Sequence, residues 1–326
     1  MIINQINQEI ENAKNICLAS HLNPDGDNLG SILGLYKLLT NRSKNVNLII
    51  DDEVPDNLKF LPNLDKSIKS SEIKENPDLF IVLDCADIGR VSNGVREIFE
   101  KTKSTINIDH HLTNTKFADI NLVDTKSPAT GELLFTLLDS LDYELDKEIA
   151  TCLYAAISSD TGSFKYDSTR KETFMAAAKL LEYGINVNDI AVNLYQKRSI
   201  GKTKLLMNAM DTLEFYENNK IALVYVDDEM IKNANAKKMD SEGIVEFIRD
   251  IDDVGIALFM KIKQKSIKLS IRTKSYANAI NIAEKFDGGG HIRAAGASMK
   301  LDFENQKKLL IKYAMDELNE RNNSNK

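Results

Sequence analysis

The sequence predicts an α/β protein of two domains: an N-terminal, mostly parallel sheet with helices on both faces, then a linker and a smaller C-terminal α/β domain with a mixed sheet. Three observations carry this. Short apolar runs alternate with helix-like segments over the first 160 residues. Beyond about residue 205 the pattern changes to paired strands. A chain of 326 residues also exceeds the usual size of one domain. The expected division is 1–185 for the first domain, 186–205 for the linker and 206–326 for the second domain.

Asn15–Ser20, Val46–Ile50, Leu79–Asp84 and Ser104–Asp109 read as strands, rich in Ile, Leu and Val on both faces, as strands between two helical layers are. Helical spacing follows at 31–41, 130–141, 147–159 and 172–184. A βαβα order argues for parallel pairing, and ligands in such sheets bind beyond the carboxyl ends of the strands. In the second half, 211–228 reads as a hairpin turning near Asn218 and Asn219, and 241–251 as a helix capped by Ser241 or Asp240. Two strands are expected over 254–274 and an amphipathic helix from 303.

No apolar run approaches the roughly 18–20 residues that cross a bilayer, and MIINQINQEIENAKN lacks the basic start and apolar core of an export signal. Cys17, Cys85 and Cys152 show no metal-ligand spacing and read as buried, reduced thiols. The expected compartment is the cytoplasm, with no membrane association. Net charge is −7, but it is unevenly spread. Residues 196–326 hold 23 Lys and Arg against 19 Asp and Glu, a net of 23 − 19 = +4, which leaves −11 for 1–195. An acidic first domain suits metal cations, and a more basic second one suits an anionic substrate.

Chemistry concentrates at the predicted strand ends. His21, Asp25 and Asp27 follow the first strand in SHLNPDGDNLGS, where Asn-Pro-Asp-Gly is also strong turn chemistry. Asp84 ends a buried strand, a position that also suits the N-cap of a following helix. Asp109, His110 and His111 end another, and three consecutive polar groups there need partners. Asp160 closes a helix, where a carboxylate opposes the dipole and needs positive compensation. Mixed imidazole and carboxylate donors without thiolates suit Mn²⁺ or a similar cation, and two ions sharing one carboxylate suit phosphoester hydrolysis.

A fifth motif, FDGGGHIRAAGAS, lies far along the chain. Gly288, Gly289 and Gly290 expose backbone N–H groups to an anion, and His291 and Arg293 add side-chain donors. If 254–265 is a strand, Lys261, Lys263 and Lys265 share one face of it. Lys268, Ser270, Arg272 and Lys274 share a face of the next, opposite Ile267, Leu269 and Ile271. Arg272 is the expected phosphate ligand of this set; the lysines are equally explained as a solvated edge.

His-x-Asn-Pro-Asp-Gly-Asp, a strand-end Asp, Asp-His-His and Asp-Thr-Gly, in this order, resemble the four signature motifs of the DHH phosphoesterases. The Gly-Gly-Gly-His-x-x-Ala-Ala-Gly run is similar to the C-terminal DHH-associated domain, so the resemblance covers residues 15 to about 300. Length and domain content resemble the nanoRNase/pAp-phosphatase branch. The resemblance implies His21, Asp25 and Asp84 at one metal, and Asp27, Asp84, His110 and Asp160 at the other, with Asp84 bridging. It implies His111 facing the substrate phosphate and Asp109 orienting the imidazoles, so that His111, Asp84 and Asp109 are the catalytic set. Gly288, Gly289, Gly290, His291, Arg293, Arg272 and Ser270 are implied in substrate binding. Two departures are Asn28, where a small residue is expected, and Lys165, where an Arg is.

The implied cofactor is a pair of Mn²⁺ ions, with Mg²⁺ or Co²⁺ as substitutes, and the implied reaction is in-line attack by a hydroxide held between them. Implied substrates are short single-stranded oligoribonucleotides (nanoRNA) and small nucleotides such as pAp, with a homodimer as the assembly to test. Two alternatives stand beside this reading: hydrolysis of the linear dinucleotide pApA, and a nucleic-acid-binding module without hydrolysis.

Overall fold

The computed structural model describes residues 2–274 and 276–324. The chain forms two compact units, Met1–Lys197 and Arg198–Lys326.

The first unit holds a five-stranded sheet in the order β2-β1-β3-β4-β5, every neighbouring pair parallel. The strands are β1 (Asn15–Ala19), β2 (Asn45–Ile49), β3 (Leu79–Leu83), β4 (Ser104–Asp109) and β5 (Ile120–Val123). Alternate residues face opposite layers, the period of two that a pleated strand imposes. Ile16, Leu18, Ile81, Leu83, Ile106 and Ile108 pack against α1 (Ile2–Asn12), α2 (Gly26–Asn41), α4 (Thr130–Ser140) and α5 (Lys147–Asp160). Cys17, Ala19, Phe80 and Val82 face the other way, onto Val95 and Phe99 of α3 (Asn93–Lys101). The three cysteines are buried and unpaired. Because β1 pairs with β2 on one side and β3 on the other, chain order reverses between β1 and β3. That is where such sheets open a crevice.

Helices α2 and α5 touch along glycines. A Cβ on Gly30 would stand 2.5 Å from the Cys152 carbonyl oxygen and 2.8 Å from Ala156 Cβ. The obstacle is backbone, so the helices would have to part. Gly30→Ala is therefore expected to destabilise the first unit by about 1–3 kcal/mol through overpacking, read as a lower urea midpoint. An unchanged midpoint would contradict this close contact.

The segment 186–205, expected as a linker, is structured: α6 (Lys171–Leu181) is followed by α7 (Val187–Ala191), a π turn at Val192–Gln196 and α8 (Ile200–Met210). The second unit carries a six-stranded sheet, β10-β11-β9-β8-β7-β6, antiparallel except where β7 meets β8. Its strands are β6 (Glu214–Tyr216), β7 (Ile221–Val226), β8 (Ile256–Ile262), β9 (Ser266–Thr273), β10 (Gly289–His291) and β11 (Ala294–Lys300). Ala222, Val224 and Phe259 pack beneath α8, α9 (Asp228–Asn233) and α10 (Ile244–Arg249). Ile221, Leu258 and Met260 pack beneath α11 (Ala279–Ala283) and α12 (Phe303–Ser324).

Several expectations are corrected. β8 ends at Ile262, so Lys263 and Lys265 lie in the turn and do not share a strand face with Lys261. α10 starts at Ile244 behind Gly243 (φ +90°), with no side-chain cap from Ser241 or Asp240. α2 begins at Gly26, five residues before the apolar spacing becomes evident, because Asp25 caps it by accepting the Asn28 N–H at 3.0 Å. Helix α1 and strand β5 had no counterpart in the sequence reading.

Candidate metal centre

The carboxyl ends of β1, β3 and β4 deliver the polar residues of three motifs to one edge of the sheet, beside the crevice between β1 and β3. His21 follows β1, Asp84 follows β3, and Asp109, His110 and His111 close β4. Asp25 stands at the N-cap of α2 and Asp27 in its first turn, and α5 contributes Asp160 from its last.

Asp84 sits at the middle. Its carboxylate lies 3.7 Å from His21 Nε2, 3.5 Å from His110 Nε2 and 3.7 Å from His111 Nδ1. It is not an N-cap: its φ is +56°, a left-handed conformation that costs a non-glycine residue about 1–3 kcal/mol and clusters at functional sites. The following short helices take their caps from Asp87 and Ser92 instead. Thr130 Oγ1 donates to Asp84 Oδ1 at 3.0 Å and steadies that orientation.

Asp27, 1% exposed, accepts the backbone N–H groups of Thr130 (2.6 Å) and Gly131 (2.8 Å), one on each oxygen. The positive end of α4 thus holds this carboxylate. His110 Nε2 stands 3.8 Å from Asp27 and 3.3 Å from Asp160. Asp109, fully buried, accepts from His111 Nδ1 at 2.7 Å and from Asn114 Nδ2 at 2.6 Å.

Charge follows from burial and crowding. Burial lifts Asp27 well above the usual carboxylate range, and Asp84, Asp160 and Asp25 add their repulsion. Asp160 is pushed up to about 8 by enclosure first, then by the charges of Asp84 and Asp25. Asp84 moves down: burial pushes it up, but the His21 contact and the charges of His110 and His111 outweigh that. Burial pulls His21 and His111 down, yet both rise, His21 through Asp84 and His111 through the Asp109 hydrogen bond.

This donor set fits cations. His21 Nδ1 lies 2.8 Å from the Leu22 carbonyl and His110 Nδ1 3.2 Å from the Ser127 carbonyl, so each Nδ1 carries the proton. Both Nε2 lone pairs then face carboxylate oxygens. Lone pair against lone pair repels, and a positive charge between them reverses the sign. Three sets of ligand atoms lie within 4.8 Å of one another: His21, Asp25 and Asp84; Asp27, His110 and Asp160; and Asp84, His110 and His111. The first has the members drawn from the motifs for one metal, the second holds three of the four drawn for the other and lacks Asp84, and the third brings His111 within reach of Asp84.

Four positioning residues escaped the sequence reading. Asn28, marked there only as a departure, is fully buried; it accepts from Ser20 Oγ (2.7 Å) and donates to the Leu83 carbonyl (2.9 Å), tying the ends of β1 and β3 together. Asn107 donates to the carbonyls of Val82 (3.3 Å) and Cys85 (3.2 Å), and Asn114 donates to Asn107 Oδ1 at 2.7 Å. Thr130 is the fourth. The one available signal was a polar residue inside an apolar run, as Asn107 is in STINID.

The second unit carries the glycine-rich motif. β10 pairs with β11, and this pairing accounts for two glycines: a Cβ would stand 2.3 Å from the Gly296 carbonyl oxygen at Gly288 and 2.5 Å from that of Ala294 at Gly290. Gly289 has nothing within 4 Å of such a Cβ and faces open space. The His291 side chain is exposed and makes no hydrogen bond or ion pair among the described residues. Arg293 Nη1 donates to the carbonyls of Lys274 and Ala277, both at 2.7 Å. Arg272 Nε donates to Glu246 Oε1 at 2.9 Å, and Ser270 stands opposite Phe259 and Gly296 in the ladder. Lys165 is exposed.

Fold and site together define an α/β protein with a cluster of carboxylates and imidazoles, of metal-ligand type, at the switch point of a parallel sheet. The chain belongs to the DHH family. The DHH family N-terminal domain matches residues 15–157, and the DHHA1 domain matches 218–320. It is 33% identical, over 93% of its length and 90% of the relative's, to the bifunctional oligoribonuclease and PAP phosphatase NrnA of Thermus thermophilus. Identity to the protein of the same name from Bacillus subtilis is 26%, over 87% and 89% of the two chains. An exopolyphosphatase-related protein from Bacteroides fragilis superposes with a TM-score of 0.92 at 28% identity, covering 98% of this chain and 97% of the other. The manganese-bound RecJ of Thermus thermophilus shares the fold at a TM-score of 0.55 and 15% identity, over 96% of this chain and 54% of that one. No helix among the described residues is long and apolar enough to cross a membrane.

Proposed function

We propose that this protein hydrolyses phosphate esters in very short nucleotides, trimming oligoribonucleotides of a few residues to mononucleotides and converting pAp to AMP. The observation that carries the reading is the convergence of three donor sets around Asp84 and His110. The names of the relatives support the substrate class. A binding module without hydrolysis has no use for so many buried carboxylates near a phosphate.

His21, Asp25 and Asp84 would hold one ion, and Asp27, Asp84, His110 and Asp160 a second, with Mn²⁺ matching the donor types and Mg²⁺ or Co²⁺ as substitutes. Bound there, two divalent cations supply Lewis acidity and activate water for in-line attack on phosphorus. The protein's own part is positioning. Backbone carbonyls turn the Nε2 atoms of His21 and His110 inward, and two backbone N–H groups set Asp27. Asp109 engages His111 Nδ1, so the Nε2 edge is left to meet a phosphate oxygen and stabilise developing charge. In the second unit, Gly288–Gly290, His291, Arg293, Arg272 and Ser270 hold the far end of the nucleotide, with Arg272 exchanging Glu246 for a phosphate. Three unpaired, buried cysteines suit a reducing cytoplasm.

A substrate panel tests this. With added Mn²⁺, di- to pentaribonucleotides should yield mononucleotides and pAp should yield AMP, resolved by chromatography, while a long RNA is spared. Chelation should stop both reactions and Mn²⁺ should restore them best. Full turnover after exhaustive chelation would sink the metal mechanism, and equal rates on long RNA would sink the size preference.

A further inference from the structure

Asp27 is set by the first turn of α4, and that turn has no cap of its own: Ala129, its N-cap, offers no side-chain acceptor. A Cβ on Gly131 would stand 2.5 Å from Ala156 Cβ and 3.3 Å from Asp27 Oδ1, so the turn lies directly against α5 and the carboxylate. The next residue, Glu132, is only 2% exposed. Its Oε1 accepts from Arg170 Nη2 at 2.6 Å, across from the start of α6. Among the described residues its Oε2 has no hydrogen-bond partner, and neither do Arg170 Nε and Thr169 Oγ1. A buried carboxylate joined at one point, where Arg commonly forms a two-point fork, is a poor device for stability. Its location suggests another use. The turn that carries Glu132 also presents the Thr130 and Gly131 N–H groups to Asp27 and the Thr130 hydroxyl to Asp84.

We propose that Glu132 and Arg170 are positioning residues for the cation centre, a strut that fixes the first turn of α4 against the start of α6 and so holds Asp27 and Asp84 at ligand distance. Neither side chain belongs to the donor sets. The strut rests on the metal reading above.

The test titrates metal-free wild type, Glu132→Ala, Glu132→Gln and the double variant Glu132→Met/Arg170→Met with Mn²⁺ by calorimetry and by the electron paramagnetic resonance signal of the free ion. Thermal melts and kcat and KM on a dinucleotide are recorded alongside. Glu132→Ala and the double variant are expected to bind Mn²⁺ about ten- to a hundredfold more weakly, as loss of an outer partner does elsewhere. kcat should fall with little change in KM. Glu132→Gln keeps an acceptor for Arg170 and should regain most of the affinity. The double variant fills the same space with apolar atoms, which buried ion pairs tolerate, so it reports on positioning even if Glu132→Ala does not fold. A folded double variant with wild-type Mn²⁺ affinity and kcat overturns the strut. So does a Glu132→Gln variant as weak as Glu132→Ala at equal melting temperature. A wild type that binds no Mn²⁺ overturns the metal reading and the strut with it, and is told apart because no variant enters that comparison.

Discussion

Asp84→Ala is expected to lose both ions and essentially all hydrolysis. Among the described residues its carboxylate alone is in reach of His21, His110 and His111 together, so its removal breaks both proposed ligand sets at once. A metal clamp on a phosphoryl group supplies several kcal/mol of charge stabilisation, and each 1.4 kcal/mol is tenfold, so the rate should drop by about a thousandfold or more. The fold should survive without it. Asp84 lies at the end of β3 beyond its ladder, and its contribution there is a carboxylate among carboxylates, not apolar burial. The left-handed φ of +56° is already borne by the wild-type aspartate, so alanine there inherits most of the same backbone cost, and circular dichroism melting will register the small difference. Elemental analysis of the folded variant decides the matter: two ions retained per chain would contradict the shared role of Asp84.

How far the sequence revealed this site follows from what each residue depends on. His21, Asp84 and the Asp109–His111 run were legible because a strand end puts its next residues at the sheet edge whatever lies around it. Strands β1 to β4 came within a residue of their observed ends, since burial between two layers leaves long apolar runs. β5 was hidden by its length of four residues and its half-buried pattern. Helix α1 anchors through Ile6 and Ile10 among Asn, Gln and Glu, so its apolar face is narrow. Long-range partners were beyond reach. Nothing local to Asp27 says that Thr130, 103 positions on, supplies its donor, and nothing near Glu132 points to Arg170. Asn28 looked like a departure because its role lies between strands β1 and β3. In the second unit, glycines read as an anion cradle prove partly structural: Gly288 and Gly290 are required by the β10–β11 contact, which leaves Gly289 and His291 as the freer part of the motif.

His291→Ala is expected to leave Mn²⁺ content unchanged and to weaken nucleotide cleavage about ten- to a hundredfold. The residue lies in the second unit, whereas every proposed metal donor lies in the first, on β1, β3, β4, α2 and α5 or the loops that follow the strands. Its exposed imidazole makes no hydrogen bond or ion pair among the described residues, so its removal should cost the fold little. Arg293 is a poorer choice for this experiment, because its guanidinium holds the carbonyls of Lys274 and Ala277. A charge-assisted contact to phosphate contributes about 1.5–3 kcal/mol, which gives the stated fold-change in affinity. The loss should appear mainly in KM, since a grip on the non-reacting end of a substrate contributes equally before and during the reaction. Hydrolysis of a small generic phosphodiester, which has no far end to hold, should be nearly unaffected. If His291→Ala strips metal, or abolishes generic turnover as fully as Asp84→Ala, the glycine-rich motif belongs to the catalytic centre and the division of labour between the two units is wrong.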